Sequence, residues 1–565
     1  MEKPLSQAQK IFGLLFLSLL LGCAVQMAPS GGPVDKIPPE ILRTVPLSGA
    51  IHLPTDLAQI KIEFSERMQE GTERNNLFIS PPVPFETHWK KGRILLVKLK
   101  DTLKAQQTYV LSVGSGLEDL HKNKMRHSFA LAFSTGDTID QGRIAGRIFG
   151  LKPRESFYVF AYALTDTSHF DPFSRKPAYV TLSGDKGKYV LEYLKSGKYR
   201  VIGVEDRNHN LLLDGISERF ALTYRDVALH DSLNSVENLD MMVTQLDTTA
   251  PKLVGVQALA SNLIRVRFSE PVRWDSLSAL TLRDSLTGQR WPIIAMGKSN
   301  EKDNWWEIIS RPLDSLQVYQ LKCWNIADSS GNRSADTLLA YFTVKLRKDT
   351  TAFKLIGHLP ADSARNVSPE TRIKLEFNQP VNWNKVSARY RLRNDSLQTV
   401  SGKWQVENLY TAYFIPEKNL EPGRGYFSIL TLKGLKSYLG KSTADSLSRH
   451  YFTIISNREL GEISGRIRLE PDHGEPVVLV LRGLKKKNFS RRRLIGSRRS
   501  FLFKFVPAGT YQIDGFVDFN LNRKLDRGRI TPFEFCEPFH FGNDTISVRK
   551  RWETGGVLIQ LPGKQ

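Results

Sequence analysis

The stretch Ile264-Arg-Val-Arg-Phe-Ser-Glu-Pro-Val272 decides the fold, because the chain uses it three times. The other copies are Ile60-Lys-Ile-Glu-Phe-Ser-Glu66 and Ile373-Lys-Leu-Glu-Phe-Asn-Gln-Pro-Val381. Each is apolar at every second position and polar between, the pattern of a β-strand with one face in a core. Pro271 and Pro380 then stop the strand, since proline cannot donate to a ladder. Each copy closes on an aromatic strand: Phe133-Ser-Thr-Gly136, Tyr341-Phe-Thr-Val344 and Tyr451-Phe-Thr-Ile454. A unit of about 100 residues made of several short strands is the size of an immunoglobulin-like sandwich.

A second repeat lies between and after these. Gly142-Arg-Ile-Ala-Gly-Arg-Ile148 matches Gly461-Glu-Ile-Ser-Gly-Arg-Ile467, and Leu194-Lys-Ser-Gly-Lys-Tyr-Arg200 matches Val506-Pro-Ala-Gly-Thr-Tyr-Gln512. The first repeat resembles the bacterial Ig-like domains of the SbsA type, on Pro38-Pro39, Gly49-Ala-Ile-His-Leu-Pro54 and Phe64-Ser-Glu66. It departs from them at Arg67-Met68, and Asn378-Gln379 in the third copy argues against a functional role for the glutamate. The second repeat is similar to the carboxypeptidase-regulatory or transthyretin-like sandwich. These resemblances imply an all-β chain of tandem β-sandwich domains: Ig-like 37–138, transthyretin-like 142–246, Ig-like 247–346, Ig-like 349–456 and transthyretin-like 461–562.

Ahead of them, Lys3 and Lys10 precede the apolar run Ile11–Leu21, and Gly22-Cys23 follows. A positive region, a short apolar helix and a small residue form a secretory signal over 1–22. The run falls short of the roughly 20 apolar residues needed to span a bilayer. Leu20-Leu21-Gly22-Cys23 also resembles the bacterial lipobox, which implies lipidation of Cys23; an ordinary signal with an incidental cysteine is the alternative. Residues 23–36, rich in Gly, Pro and small side chains, read as a flexible tether. Together these features resemble Bacteroidetes envelope lipoproteins, lipid-anchored in the outer membrane, with the periplasmic face favoured because no acidic cluster follows Cys23. Cys323 and Cys536 are expected to be buried free thiols.

At 565 residues and 41% hydrophobic content the chain sustains several cores, which excludes wholesale disorder. The formal net charge of +22 is spread along the chain, with one concentration at Lys485–Lys487, Arg491–Arg493 and Arg498–Arg499. This run reads as a solvated loop or hairpin beside an anionic membrane; no nucleic-acid motif accompanies it, so no nucleic-acid partner is expected.

One constellation can carry chemistry. Asp206, Asn208, Asn210 and Asp214 recur at the same offset as Asp518, Asn520, Asn522 and Asp526. Oxygen side chains at positions 1, 3, 5 and 9 of a loop resemble the start of a calcium loop. Leu211 and Arg523 stand where its sharp turn wants glycine, and Glu218 and Glu534 lie further along. The alternative is a loop whose Asp and Asn side chains bond its own backbone, with no metal. The HExxH, GxSxG, Walker A and GxGxxG motifs are absent from the sequence, so an enzyme is not expected. The reading that follows is a non-catalytic modular scaffold whose partners are the membrane through Cys23 and envelope proteins or anionic glycans. A carbohydrate-binding accessory protein, using some of the nine tryptophans as a stacking platform, is the alternative.

Overall fold

A computed structural model describes residues 35–153, 155–164, 170–315, 317–344, 351–485, 489–542 and 544–563. Cys23, the signal segment and nearly all of the tether lie outside the described residues. The chain divides into two compact units, 1–140 and 141–565. Both are built from strands, and the seven-residue Trp383–Arg389 is the α-helix among the described residues.

In the first unit, strands Ile41–Val45, Gln59–Phe64, Ile94–Leu99 and Phe85–Lys90 form one sheet in that order, and Leu77–Ser80, Thr108–Val113 and Phe129–Ser134 form another. Both sheets contribute to a single core. Among the described residues the second unit holds four more main cores, each drawn from one contiguous stretch: Ile144–Val243, Ile264–Val344, Phe353–Ile454 and Ile463–Leu561. The alternation that identified the strands places their side chains as expected. Ile60, Ile62 and Phe64, Ile264, Val266 and Phe268, and Ile373, Leu375 and Phe377 are all fully buried.

The residue after each buried phenylalanine has its own task. The side chains of Ser65, Ser269 and Asn378 accept the backbone N–H of Glu40, Lys252 and Lys354 at 3.0, 2.9 and 2.8 Å. Asparagine therefore replaces serine in the third copy without loss of the acceptor, and the preceding strand stays tied down.

A tyrosine anchors each of these five cores. The Tyr109, Tyr319 and Tyr426 hydroxyls accept the N–H groups of Lys104, Asp314 and Glu421, five residues upstream, at 2.8, 2.9 and 2.8 Å. Their rings lie 5.9 Å from Phe133, Phe342 and Phe452 in all three copies. In the second repeat, Tyr199 and Tyr511 instead donate to the carbonyls of Lys195 and Pro507, four residues upstream, at 2.7 and 2.6 Å. All five tyrosines are at most 3% exposed. The closing aromatic that enters the core is thus Phe342 or Phe452, while Tyr341 and Tyr451 face outward.

The repeated glycines of the second module reflect close approach of backbone. A Cβ on Gly146 would lie 2.2 Å from the Leu239 carbonyl oxygen, and one on Gly465 would lie 2.0 Å from that of Val557. Parallel pairing sets that crowding: Met241–Gln245 and Glu553–Pro562 run alongside the strands that carry these glycines.

Within the second unit, the cores are joined by specific contacts. Between the third and fourth, Leu263, Ile309, Leu409 and Tyr410 form an apolar cluster, and the Tyr410 hydroxyl donates to the fully buried Glu307 carboxylate. That carboxylate also pairs with Arg265 at 2.7 Å, as a buried charge requires. Between the fourth and fifth, Glu370 pairs with Arg493 at 2.5 Å. The fifth then packs back on the second. The Arg200 guanidinium lies 4.0 Å from the Phe533 ring, and Phe149 lies 5.6 Å from Phe539 and 4.9 Å from Phe541. Sequence spacing suggested a string of modules; in this unit the last module returns to the first.

Tyr426→Phe removes the acceptor for the Glu421 N–H and is expected to cost about 1–2 kcal/mol. Tyr426→Ala empties part of a core and is expected to cost about 3–5 kcal/mol. Hydrogen exchange of strand Gly425–Thr431 reads the two losses separately from the other cores.

Candidate functional site

The two Asp/Asn loops follow the anchoring tyrosines and fold alike. Asp206 is buried, and its two carboxylate oxygens accept the N–H groups of Asn210 and Leu211 at 3.2 and 2.9 Å. Asp518 does the same for Asn522 and Arg523, both at 3.0 Å. The Asn208 and Asn520 side chains accept the N–H two residues on, at 3.1 and 3.0 Å. Their amides donate to Asp214 and Asp526, which the Asn210 and Asn522 amides reach as well. All eight residues predicted to form the two loops are therefore brought together, four in each, and their oxygens are engaged by the loop itself. The positions where a calcium loop wants glycine adopt the left-handed backbone with other residues, Leu211 at φ 62° and Arg523 at φ 60°.

A buried glutamate completes each loop. Glu218 accepts the N–H groups of Arg207 and Asp214 at 2.8 and 2.9 Å, and Glu537 accepts those of Phe519 and Asp526 at 2.8 and 2.9 Å. Glu534 is not the counterpart of Glu218; it pairs with Arg529 at the surface. Spacing hid the match, because four residues separate Asp214 from Glu218 and eleven separate Asp526 from Glu537. Burial, and then the nearby Asp526 and Asp518 carboxylates, push the Glu537 carboxyl up to about 7.

Two further carboxylate groups were not found from the sequence. Asp35, Glu66, Asp119 and His121 hold their ligand atoms within 4.8 Å of one another in the first copy of the repeat that carries Ile60–Glu66. Asp247, Glu270 and Asp328 do so in the second. Asp119 and Asp328 are fully buried and are gripped by Asn123 and Asn332, whose amides donate at 2.8 Å in both. Burial pushes the Glu66 and Glu270 carboxyls above their ordinary range, and so do the two aspartates facing each of them. Such oxygen sets can hold a hard cation. The third repeat has changed three of these positions together: the glutamate, the buried aspartate and its asparagine. Gln379 stands for the glutamate and Ser437 for the buried aspartate, hydrogen-bonded to each other at 2.9 Å. Lys441 takes the asparagine's place and donates from its ammonium to the Thr351 carbonyl at 2.9 Å. Gln379 argued against a role for the glutamate in the sequence; the structure shows it exchanged together with two neighbours, whose polar groups bond to each other and to the backbone. An Asp-x-x-x-Asn spacing shared by 119–123 and 328–332 was the available signal.

The basic run is not a solvated hairpin throughout. Arg499 is 8% exposed and paired with Asp472, and Arg491 and Arg493 face Glu370. Lys486 and Lys487 lie outside the described residues. Of the nine tryptophans, Trp324 and Trp552 are the well-exposed ones, and they sit on different cores. Cys323 and Cys536 are buried free thiols, and burial pushes the Cys323 thiol up to about 12. No helix among the described residues is long and apolar enough to cross a membrane.

Two outcomes are expected. A carboxyl with a raised folded pKa contributes stability that is full below its unfolded value, 4.5 for Glu537, and is lost as pH rises through about 7. Hydrogen exchange of Gly509–Val517 should therefore show opening grow easier across that window, and Glu537→Gln should flatten the curve. In EDTA, Glu270→Gln is expected to stabilise strand Leu263–Phe268 at pH 7, by about 0.5 kcal/mol, through removal of like-charge repulsion. The gain should shrink at pH 4, where the wild-type carboxyl is protonated.

Comparison with known proteins matches two stretches, 35–135 and 349–453, to the family described as bacterial Ig-like domain. No curated protein matches the chain. Among solved structures, it is similar to the N-terminal part of the bacterial S-layer protein SbsC, at 13% identity over 36% of this chain and 44% of that one, with a TM-score of 0.17. The chain thus spans less than half of that protein's length. Surface layer protein SbsC, domains 1–6, gives 9% identity over 91% and 67%, with a TM-score of 0.15. An L,D-transpeptidase from Mycobacterium tuberculosis H37Rv gives 8% over 26% and 78%, also at 0.15. The chain is an all-β tandem array that contains bacterial Ig-like domains.

Proposed function

We propose that this chain is a non-catalytic cell-envelope lipoprotein, held to the outer membrane through lipidated Cys23, and works as a modular structural or interaction scaffold. The observation that carries the reading is the pair of bacterial Ig-like domains within an all-β array. Such domains present rigid sheet faces and loops without needing a reaction centre. Lys3, Lys10, the apolar run to Leu21 and Gly22-Cys23 support the anchor. Two or three acyl chains on one residue suffice for stable attachment, where a single chain gives marginal binding. The second repeat, at 142–246 and 461–562, fits a transthyretin-like sandwich and would act in the same scaffold.

The test is metabolic labelling with a fatty-acid analogue, followed by membrane fractionation. The wild-type chain is expected to take up label and sediment with outer membranes. Cys23→Ser is expected to lose both and to appear in the soluble fraction. Protection from protease in intact cells supports a periplasmic orientation. An unlabelled wild-type chain would overturn the anchor.

A further inference from the structure

Between the fourth and fifth cores lies an open groove of about 860 Å³ whose lining carries six cationic side chains and one carboxylate. The cations are Arg372, Lys418, Arg491, Arg492, Arg493 and Arg523; the carboxylate is Glu370. We infer that this groove binds a ligand with clustered phosphate groups.

Both walls are well defined. One comes from the Ig-like domain at 349–453, through Ser368–Arg372 and Ile415–Asn419. The other is strand Ser490–Ile495 with Arg523 from the second Asp/Asn loop. Arg491 is held in place at the back. Its guanidinium lies 5.0 Å from the Phe489 ring centroid and donates to the Lys504 carbonyl at 2.6 Å and the Ser368 hydroxyl at 2.9 Å. Glu370 pairs with Arg493 at 2.5 Å and stands 3.4 Å from Arg491. One carboxylate cannot neutralise six cations, so a surplus of five positive charges faces the cavity. Arg372, Lys418, Arg492 and Arg523 are exposed at its edge.

The crowding has a physical cost that an anion would remove. Burial holds the Arg491 guanidinium below its ordinary range, and repulsion from Arg493 adds to that, against the pull of Glu370. Five of the six cations are arginines, whose planar forks meet phosphate oxygens in pairs; a lone lysine acts as a point charge. The groove is also large enough for several phosphates at once, and its clustered cations sum their potential over the opening. The phosphates can come from a lipid headgroup or from a soluble phosphorylated compound. The chemistry depends on the groove alone, while its placement in the envelope rests on the scaffold reading. A chain that binds phosphate yet lacks a lipid would overturn that reading and leave the groove assignment intact.

The experiment is calorimetric titration of the full mature chain with tripolyphosphate, at several salt concentrations. Expected is saturable binding of one equivalent, weakening as salt rises. Arg372→Ala/Lys418→Ala/Arg492→Ala, all at exposed positions, is expected to lose on the order of tenfold or more in affinity. Because the whole chain is strongly basic, Arg273→Ala/Lys298→Ala serves as the control, removing two exposed cations elsewhere. Flotation with vesicles containing phosphatidic acid separates the sources. Groove-dependent capture that tripolyphosphate competes away supports a lipid headgroup, and tripolyphosphate binding without capture supports a soluble ligand. The inference is overturned by absence of saturable binding, or by a triple variant weakened no more than the control.

Discussion

The anchored tyrosine is the constraint on which the rest of this molecule depends. A sandwich of short strands fixes its two inner faces by burial, but burial says nothing about where the chain turns between sheets. In all five cores one buried tyrosine supplies that missing information, its ring in the core and its hydroxyl on the backbone four or five residues upstream. The hydrogen bond changes hand between the two repeats. In the three copies of the first repeat the phenol accepts an N–H; in the other two cores it donates to a carbonyl. The same residue type thus solves one problem for two topologies, which is possible because a phenol is both donor and acceptor. Both Asp/Asn loops begin at the same offset from it, seven residues after Tyr199 and Tyr511.

Internal repetition makes the chain its own control. Where copies agree, the shared feature answers a demand of the fold: the Asp206 and Asp518 loops keep the same bonds although their exposed neighbours differ. Where copies differ in concert, the change identifies what was being balanced. Glu66 and Glu270 each face two aspartates; Gln379 faces a serine, and Lys441 brings a positive charge to the same corner. The exchange removes two carboxylates and adds one ammonium, so the corner changes its net charge while its polar contacts are kept by other donors and acceptors.

Strands were legible in the sequence because period-two alternation is a local property, and Ile60, Ile62 and Phe64 could be assigned inward without knowing their neighbours. The all-β class and the membership of the two loops followed from patterns of that kind. What stayed hidden was set by distance in space. Glu537 is separated from its loop by seven residues more than Glu218 is, so no fixed offset points to it. Glu307 and Tyr410 are 103 residues apart, and their contact exists only because two cores meet. The return of the fifth core onto the second, through Arg200 and Phe533, joins residues more than 300 positions apart. Periodicity cannot encode such pairings, since each side reads as an ordinary surface or loop residue.

The same reasoning changes how the net charge should be understood. Counted along the chain, the arginines from Arg491 to Arg499 look like one basic stretch. In space they separate. Arg499 turns inward to Asp472 and serves the fold, as a buried cation must. Arg491, Arg492 and Arg493 alternate along one strand, yet all three line the same groove, beside the wall from Ser368 to Arg372. Glu370 offsets one charge and in doing so ties the two cores together. The remaining surplus is then a consequence of where the domains meet: a strand that would repel itself in isolation is held beside further cations by the packing of two cores. The stabilisation for that arrangement has to come from the apolar cores, which makes an uncompensated positive groove an unfavourable feature that folding alone does not require.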